Sequence, residues 1–283
     1  MRLRPASGGD RDAVCALGVA EEIAWFGEAI SSADEVGEWI DEEGGVARGV
    51  VAVDGEGRIR GFASPGGRQA QFLADPALTD PLADELLPWL RERCEVAELM
   101  TFGGDSARIA AFERHGLRHL RSSFLLARPA SAGPLPESEL PAGVEVAPYR
   151  LGDDDEAVHR LIYVDAAWAS EPGHAERDLE AWRETMTHCE SLFLARAGGR
   201  PVGWVAGRVL DSGRGFVNTL AVAIGERGRG LGRALLLHGL RDLQRAGAEG
   251  LTLGVEAANE AALGLYRSVG MEVQSEWRIY VSR

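Results

Sequence analysis

The sequence predicts an α+β fold: two tandem domains of one architecture, each a mixed, twisted β-sheet flanked by helices. Three observations carry this. First, the chain repeats itself. At an offset of 154, LMTFGGDSARIAAFERHGL (Leu99–Leu117) matches LGVEAANEAALGLYRSVGM (Leu253–Met271), which sets Asp105, Phe112 and Gly116 opposite Asn259, Tyr266 and Gly270. At an offset of 143 the starts match too, with Pro5, Gly9, Asp10 and Trp39 opposite Pro148, Gly152, Asp153 and Trp182. Gly61-Phe62 lies opposite Gly203-Trp204, one residue off that register. A period this long is a domain rather than a solenoid unit. Second, each repeat reads strand, two helices, three strands, helix, strand, helix, closing strands, which is not a doubly wound alternation. Third, PASAGPLPESELPAG (Pro129–Gly143) holds four of the 12 prolines and reads as a semi-rigid linker. The expected organisation is a first domain over 1–128, a linker over 129–143 and a second domain over 144–283.

In the second repeat Val144–Val146 opens the sheet. Asp153–Tyr163 and Arg177–Cys189 read as helices, the first with an acidic N-terminal turn that suits the helix dipole. Ser191–Ala197 and Pro201–Val209 form a hairpin about Gly198-Gly199. Phe216–Val222 is short and almost wholly apolar, the pattern of a strand covered on both faces. After it come the loop Arg227-Gly228-Arg229-Gly230-Leu231-Gly232 and a helix with Leu236, Leu240 and Leu243 on one stripe, stopped by Gly247. Leu251–Glu256 is a strand, Asn259–Val269 a helix ended by Gly270, and Trp277–Val281 the strand expected to close this sheet.

Composition narrows the function. The net charge of −14 argues against a nucleic-acid partner, because a phosphate backbone needs a basic face. No apolar run approaches membrane-spanning length and MRLRPASGGDRD has no signal-peptide core, so no membrane partner is expected. Three unpaired cysteines, Cys15, Cys94 and Cys189, fit a reduced, cytoplasmic setting. All 30 basic residues are arginine, which excludes a Walker-A, kinase or Schiff-base lysine. The six histidines show no metal-ligand spacing, and no metal is expected.

Glycines between a buried strand and a helix let the backbone approach a ligand closely. Their N–H groups, with the helix dipole behind them, suit a phosphate or pyrophosphate. A dinucleotide-binding oxidoreductase is the poorer reading, since Gly228-x-Gly230-x-Gly232 late in its domain fits G-x-G-x-x-G badly.

The loop, together with N-E-A-A-L-G-L-Y-R-S-V-G-M, resembles the GCN5-related N-acetyltransferase (GNAT) family. The family's loop Q/R-x-x-G-x-G/A is matched by Arg227, Gly230 and Gly232. Its N-x-x-A-x-x-L-Y-x-x-x-G-F is matched by Asn259, Ala262, Leu265, Tyr266 and Gly270, with Met271 in place of Phe. The resemblance spans the second repeat, and the tandem arrangement is similar to that of mycothiol synthase and its relatives. It implies acetyl-CoA as cosubstrate, with its pyrophosphate on Arg227, Gly228, Arg229, Gly230, Leu231, Gly232 and Arg233. The pantetheine arm would lie along Leu220, Ala221 and Val222 and meet Asn259. The Val222 amide would polarise the thioester carbonyl. Tyr266 would protonate the leaving thiolate, a phenol of pKa ~10 facing a thiol of ~8.5. Packing is the competing role for Tyr266, and helix capping for Asn259.

The first repeat has no glycine from Arg68 to Phe102 and reads ADPALTDPLADELL where the loop should be. Its carboxylates repel a pyrophosphate and its prolines remove donors, so no acyl-CoA binding is expected there.

An amine must lose a proton to attack. Ribosomal-protein alanine acetyltransferases carry a glutamate five residues before the motif asparagine. That position is Gly254 here, and Glu256, on the same strand face by the period of two, is the candidate base. Asn218 is a candidate for positioning the acceptor or a water. The third strand reads Gly203-Trp204-Val205-Ala206-Gly207-Arg208, without the lysine and histidine of the W-T-K-x-H segment in mycothiol synthases. The first two helical regions are acidic: Asp12–Ala47 carries ten carboxylates and no arginine, Asp153–Glu190 eleven against three arginines. A cationic acceptor suits them, and so does ordinary solvation. The resulting expectation is transfer of an acetyl group from acetyl-CoA to a primary amine of a small molecule or peptide by direct attack, in a monomer or homodimer. The alternatives are a non-catalytic acyl-CoA sensor and acetylation of a mycothiol-type aminosugar.

Overall fold

The computed structural model describes residues 1–66, 69–95, 97–167 and 176–282. The chain divides into two compact units, one of Met1–Ser123 with Ser275–Arg283 and one of Phe124–Gln274.

The first unit contains β1 (Arg2–Pro5), α1 (Arg11–Phe26), α2 (Ala33–Glu42), β2 (Val50–Val53), β3 (Ile59–Ser64) and β4 (Gln71–Ala74). Then come α3 (Thr79–Arg91), β5 (Glu98–Phe102), α4 (Ser106–Arg114) and β6 (Arg118–Arg128), within which the division falls. β1 to β4 form an antiparallel sheet in sequence order. β2 and β4 are too short and too fully buried to alternate visibly, since each face is covered by helices. Val14, Ile40 and Phe62 pack under α1 and α2, and Leu82, Leu86 and Phe112 under α3 and α4.

The second unit repeats this frame. It contains β7 (Val144–Pro148), α5 (Asp155–Arg160) running on as a π-helical turn over Leu161–Asp165, α6 (Leu179–Thr187), β8 (Ser191–Ala197), β9 (Arg200–Val209) and β10 (Arg214–Val222). α7 (Leu231–Arg245), β11 (Gly250–Glu256) and α8 (Glu260–Ser268) follow, and β12 (Glu272–Val281) ends the chain. β7, β8, β9 and β10 pair antiparallel in that order, and β11 joins β10 in parallel. The leucine stripe of α7 packs on one face of the sheet, with Leu236, Leu240 and Leu243 fully buried. Trp182, Trp204 and Leu161 fill the other face.

Three sequence expectations change. Trp277–Val281 does not pair with β11 to close the second repeat's strands. It pairs antiparallel with β5, Trp277 opposite Phe102 and Val281 opposite Glu98, and belongs to the first unit. Its Trp277 ring lies 5.4 Å from Trp25, its Tyr280 is 5.7 Å from Phe112, and the Ala97 amide donates to Ser282 Oγ at 2.8 Å. Alternating apolar residues fit either sheet edge, and only these non-local partners decide between them. The counterpart of Asp10 is Asp155 rather than Asp153. Both carboxylates accept from the amide three residues earlier, Ser7 for Asp10 and Gly152 for Asp155. The stretch Pro129–Gly143 is tied down by arginines acting on its carbonyls. Arg128 donates to those of Ala132, Gly133 and Pro134, Arg241 to Pro136 and Arg233 to Glu137.

Burial pushes the Asp155 carboxyl up, but hydrogen bonds from Tyr149, Arg183 and the Gly152 amide outweigh it and hold the group below the usual carboxylate range. A depressed carboxyl stabilises the fold above its unfolded pKa of ~3.9 and loses that contribution as pH falls through the folded value. Asp155→Asn is expected to lower the thermal midpoint at neutral pH by roughly 2–4 °C and to flatten the loss of stability below about pH 4. Unfolding scans across a pH series measure both.

Candidate functional site

The site is set by where β10 and β11 part. Their parallel ladder runs from Arg214 opposite Gly250 to Val217 opposite Leu253 and stops. At the same point β10 carries a bulge against β9: Val217 faces Gly207 and Thr219 faces Ala206, leaving Asn218 as the extra residue. An inserted residue reverses the alternation and twists the strand. Val217 belongs to the core beneath α7, and after the bulge it is Leu220 and Val222 that pack there, while Ala221 joins the α5–α6 side. The Ala223 amide donates to Val202 O at 3.0 Å. Backbone groups alternate along a strand, so those of Val222 and Leu220 turn away from β9 toward the opening beside β11. The Val222 carbonyl on that side accepts from Arg227 Nε at 3.2 Å.

The chain leaves β10 through one tight turn at Ile224–Glu226 and enters the glycine loop. Gly228 has φ +77° and Gly230 φ +85°, the left-handed region, and the space around both is open. Glycine is required there by the dihedrals rather than by crowding. The first internal bond of α7 runs from Ala234 to Gly230 O at 3.0 Å. The amides of Leu231, Gly232 and Arg233 therefore have no partner within the helix, and they point where the dipole is positive. A methyl on Gly232 would lie 3.6 Å from Val222 and 3.5 Å from Leu265, so β10, the head of α7 and α8 converge here.

The loop arginines are engaged by the protein. Arg227 donates to the carbonyls of Val222 and Ala166, the latter at 2.8 Å. Arg229 pairs with Glu226, which also holds Arg200. Arg233 donates to Glu137 O at 3.1 Å. In this state they shape the loop, and the anion-binding groups on offer are its amides.

Asn259 caps α8, its side-chain oxygen accepting from the Ala262 amide at 3.0 Å. Tyr266 is 9% exposed and packs with Leu263, Val269 and Met271 in the core beneath α7. Both roles weighed against ligand contact are thus realised. Leu251, Leu253 and Val255 pack toward α7, so Glu256, of opposite parity on β11, turns to the face lined by α5 and α6. Phe216 lies opposite both Arg208 and Thr252, which puts all three on that face. Arg208 was not singled out from the sequence; its signal is a lone arginine in the otherwise uncharged run Pro201–Val209. The Asn218 side-chain oxygen is buried with no hydrogen-bond partner among the described residues.

Three acidic residues of the α5–α6 region are held by the protein itself. Asp154 binds Arg196 at 2.5 Å, Asp155 binds Tyr149 and Arg183, and Asp178 caps α6. Glu171 lies outside the described residues. Burial pushes the Cys189 thiol up to about 11, which leaves it unsuited to covalent catalysis. Among the described residues no group of three or more His, Cys, Asp or Glu side chains is arranged to hold a metal ion, and no helix is long and apolar enough to cross a membrane.

Residues 156–271 match the acetyltransferase (GNAT) family. The mycothiol acetyltransferase of Frankia alni is 32% identical over 272 residues, covering 83% of this chain and 80% of that protein. Among solved structures, a GCN5-related N-acetyltransferase from Sphaerobacter thermophilus superposes with a TM-score of 0.79 at 22% identity, covering 99% of this chain and 95% of its own. A tandem GNAT protein from the clavulanic acid biosynthesis pathway gives 0.70 at 15% identity, covering 99% and 98%. With the parted strands and the glycine loop already described, the chain belongs to the GNAT family of acetyltransferases, in its tandem form.

Proposed function

We propose that the second unit transfers an acetyl group from acetyl-CoA to a primary amine by direct attack. The observation that carries this reading is the unpaired edge of β10 leading straight into the amide-rich head of α7. An extended amide-bearing arm matches the first and a pyrophosphate the second. The arm would run from the loop back along Val222, Ala221 and Leu220, and Asn259 would meet it at the start of α8. The edge-facing amides of Val222 and Leu220 are the donors for the thioester oxygen, whose charge grows as the amine adds. The C–N bond forms first, and the C–S bond breaks as the tetrahedral adduct collapses. The proton lost by the amine passes to Glu256, directly or through water, and Tyr266 donates its own to the leaving sulfur. The high thiol pKa of Cys189 supports direct transfer over a cysteine acyl-enzyme.

For the acceptor, the relative's name makes a mycothiol-type amine the first to test. β9 lacks the lysine and histidine of the mycothiol synthase segment, and presents Arg208 on the acceptor face instead. A wider amine panel therefore belongs in the same experiment.

Tyr266→Phe is expected to lower kcat about 100-fold or more while acetyl-CoA affinity changes less than about twofold. A thiol-release assay beside calorimetric titration reads both, and full turnover in the variant removes Tyr266 as the acid. Gly230→Asp places a carboxylate at the head of α7 and a non-glycine residue at φ +85°. It is expected to weaken acetyl-CoA binding by about 100-fold or more. Unchanged affinity would move the cofactor site elsewhere. Binding without turnover on any amine would favour a sensor.

A further inference from the structure

The two units share a frame closely enough to compare atom by atom. In the first, Ala74 lies opposite Gly61; in the second, Val222 lies opposite Gly203. The next residue donates back in both, Asp75 to Arg60 O at 2.7 Å and Ala223 to Val202 O at 3.0 Å. A one-turn helix follows each, Pro76–Leu78 and Ile224–Glu226. The Ala74 amide is therefore the counterpart of the Val222 amide, and it too turns away from the neighbouring strand. The opening is present as well: β4 is the edge of its sheet, joined to β5 by the Ala70 amide bonding Glu98 O at 3.0 Å.

In the first unit that opening is filled. The Ala74 amide donates to Glu21 Oε1 at 2.6 Å, and the Phe72 carbonyl on the same edge accepts from Arg108 Nη1 at 3.4 Å. The two side chains bind each other through both terminal guanidinium nitrogens and both carboxylate oxygens, and each is only 2% exposed. The guanidinium is held between the rings of Trp25 and Phe72, 5.1 and 5.2 Å away. Asp105 caps α4 by accepting from the Arg108 amide, as Asn259 caps α8 by accepting from that of Ala262. Arg108 thus stands where the second unit has a methyl group. An ion pair this deeply buried adds little stability over apolar residues of the same volume, so stability alone is a weak reason for it.

We propose that the Glu21–Arg108 pair is a built-in occupant of the first unit's donor slot, in which a carboxylate takes the amide and an arginine the carbonyl that the second unit leaves to the pantetheine arm. The chain then binds one acetyl-CoA, not two. This rests on the reading of the second unit as the acetyl-CoA site.

Residue-resolved hydrogen exchange on the full chain, with and without saturating acetyl-CoA, tests it together with calorimetric stoichiometry. The Ala74 amide is expected to exchange slowly in both states. The amides of Leu220 and Val222 are expected to exchange freely alone and to slow about tenfold or more with acetyl-CoA. Calorimetry is expected to give one site per chain. Glu21→Ala should speed exchange at Ala74 about tenfold while Leu86 in the core is unchanged, and Glu21→Gln, which keeps an acceptor oxygen, should restore protection. A second acetyl-CoA site, slowing of Ala74 on adding acetyl-CoA, or full Ala74 protection in folded Glu21→Ala would each overturn the proposal. If Glu21→Ala does not fold, the wild-type measurements and Glu21→Gln decide. If Leu220 and Val222 ignore acetyl-CoA while Ala74 stays protected, the reading of the second unit fails and the role of the pair stands.

Discussion

The ladder between β10 and β11 ends early, and the candidate site depends on that. Had the pairing run on from Val217 to Val222, every backbone group of β10 would be satisfied within the sheet. The extra residue at Asn218 turns the strand out of register with β11 and frees one edge without exposing the core, because β9 keeps its hold on the other side. An unpaired strand edge is normally a hazard that a protein covers or charges. Here it lies between the head of α7 and the start of α8, next to the loop amides. An edge, a helix head and a cap brought together are what the proposed ligand, elongated with an anionic end, would need.

Repeating a frame does not repeat its chemistry. In the second unit the strand is followed by glycines with positive φ, and in the first by Asp75, whose side chain caps the next turn and pairs with Arg60. Arginine, the sole basic residue type besides histidine, carries much of the polar architecture. It fastens the inter-repeat stretch through carbonyls, pins the loop through Arg227 and fills an opening through Arg108. A planar fork with several donors suits such work on main-chain oxygens better than a lysine ammonium would.

The parts of the site that could be read in the sequence are those written in local spacing. Glycines at 228, 230 and 232 after an apolar strand, leucines at helical intervals, and Asn259 seven residues before Tyr266 needed no knowledge of distant partners. What was hidden depends on pairing. The bulge at Asn218 is visible only once β9 is laid beside β10. The hydrogen bond of Arg227 to the Ala166 carbonyl, 61 residues earlier, is likewise invisible to local pattern. The arginines that hold Asp155 and Asp154, Arg183 and Arg196, lie 28 and 42 residues away in sequence. Glu21 and Arg108, 87 residues apart, each read as an ordinary charge on a helix.

The pairing of β12 with β5 bears on how the protein is made. A ribosome makes Met1–Ser123 long before Ser275–Arg283, yet Trp277 and Tyr280 belong to the first unit's packing. The first unit thus cannot finish folding until β12 has been made, after the whole of the second unit, contrary to the usual vectorial order. Until then the edge of β5 and the rings of Trp25 and Phe102 lack one of their native neighbours. A nascent chain in that condition offers a surface for a chaperone to cover, and a chain cut before Trp277 would leave it so permanently.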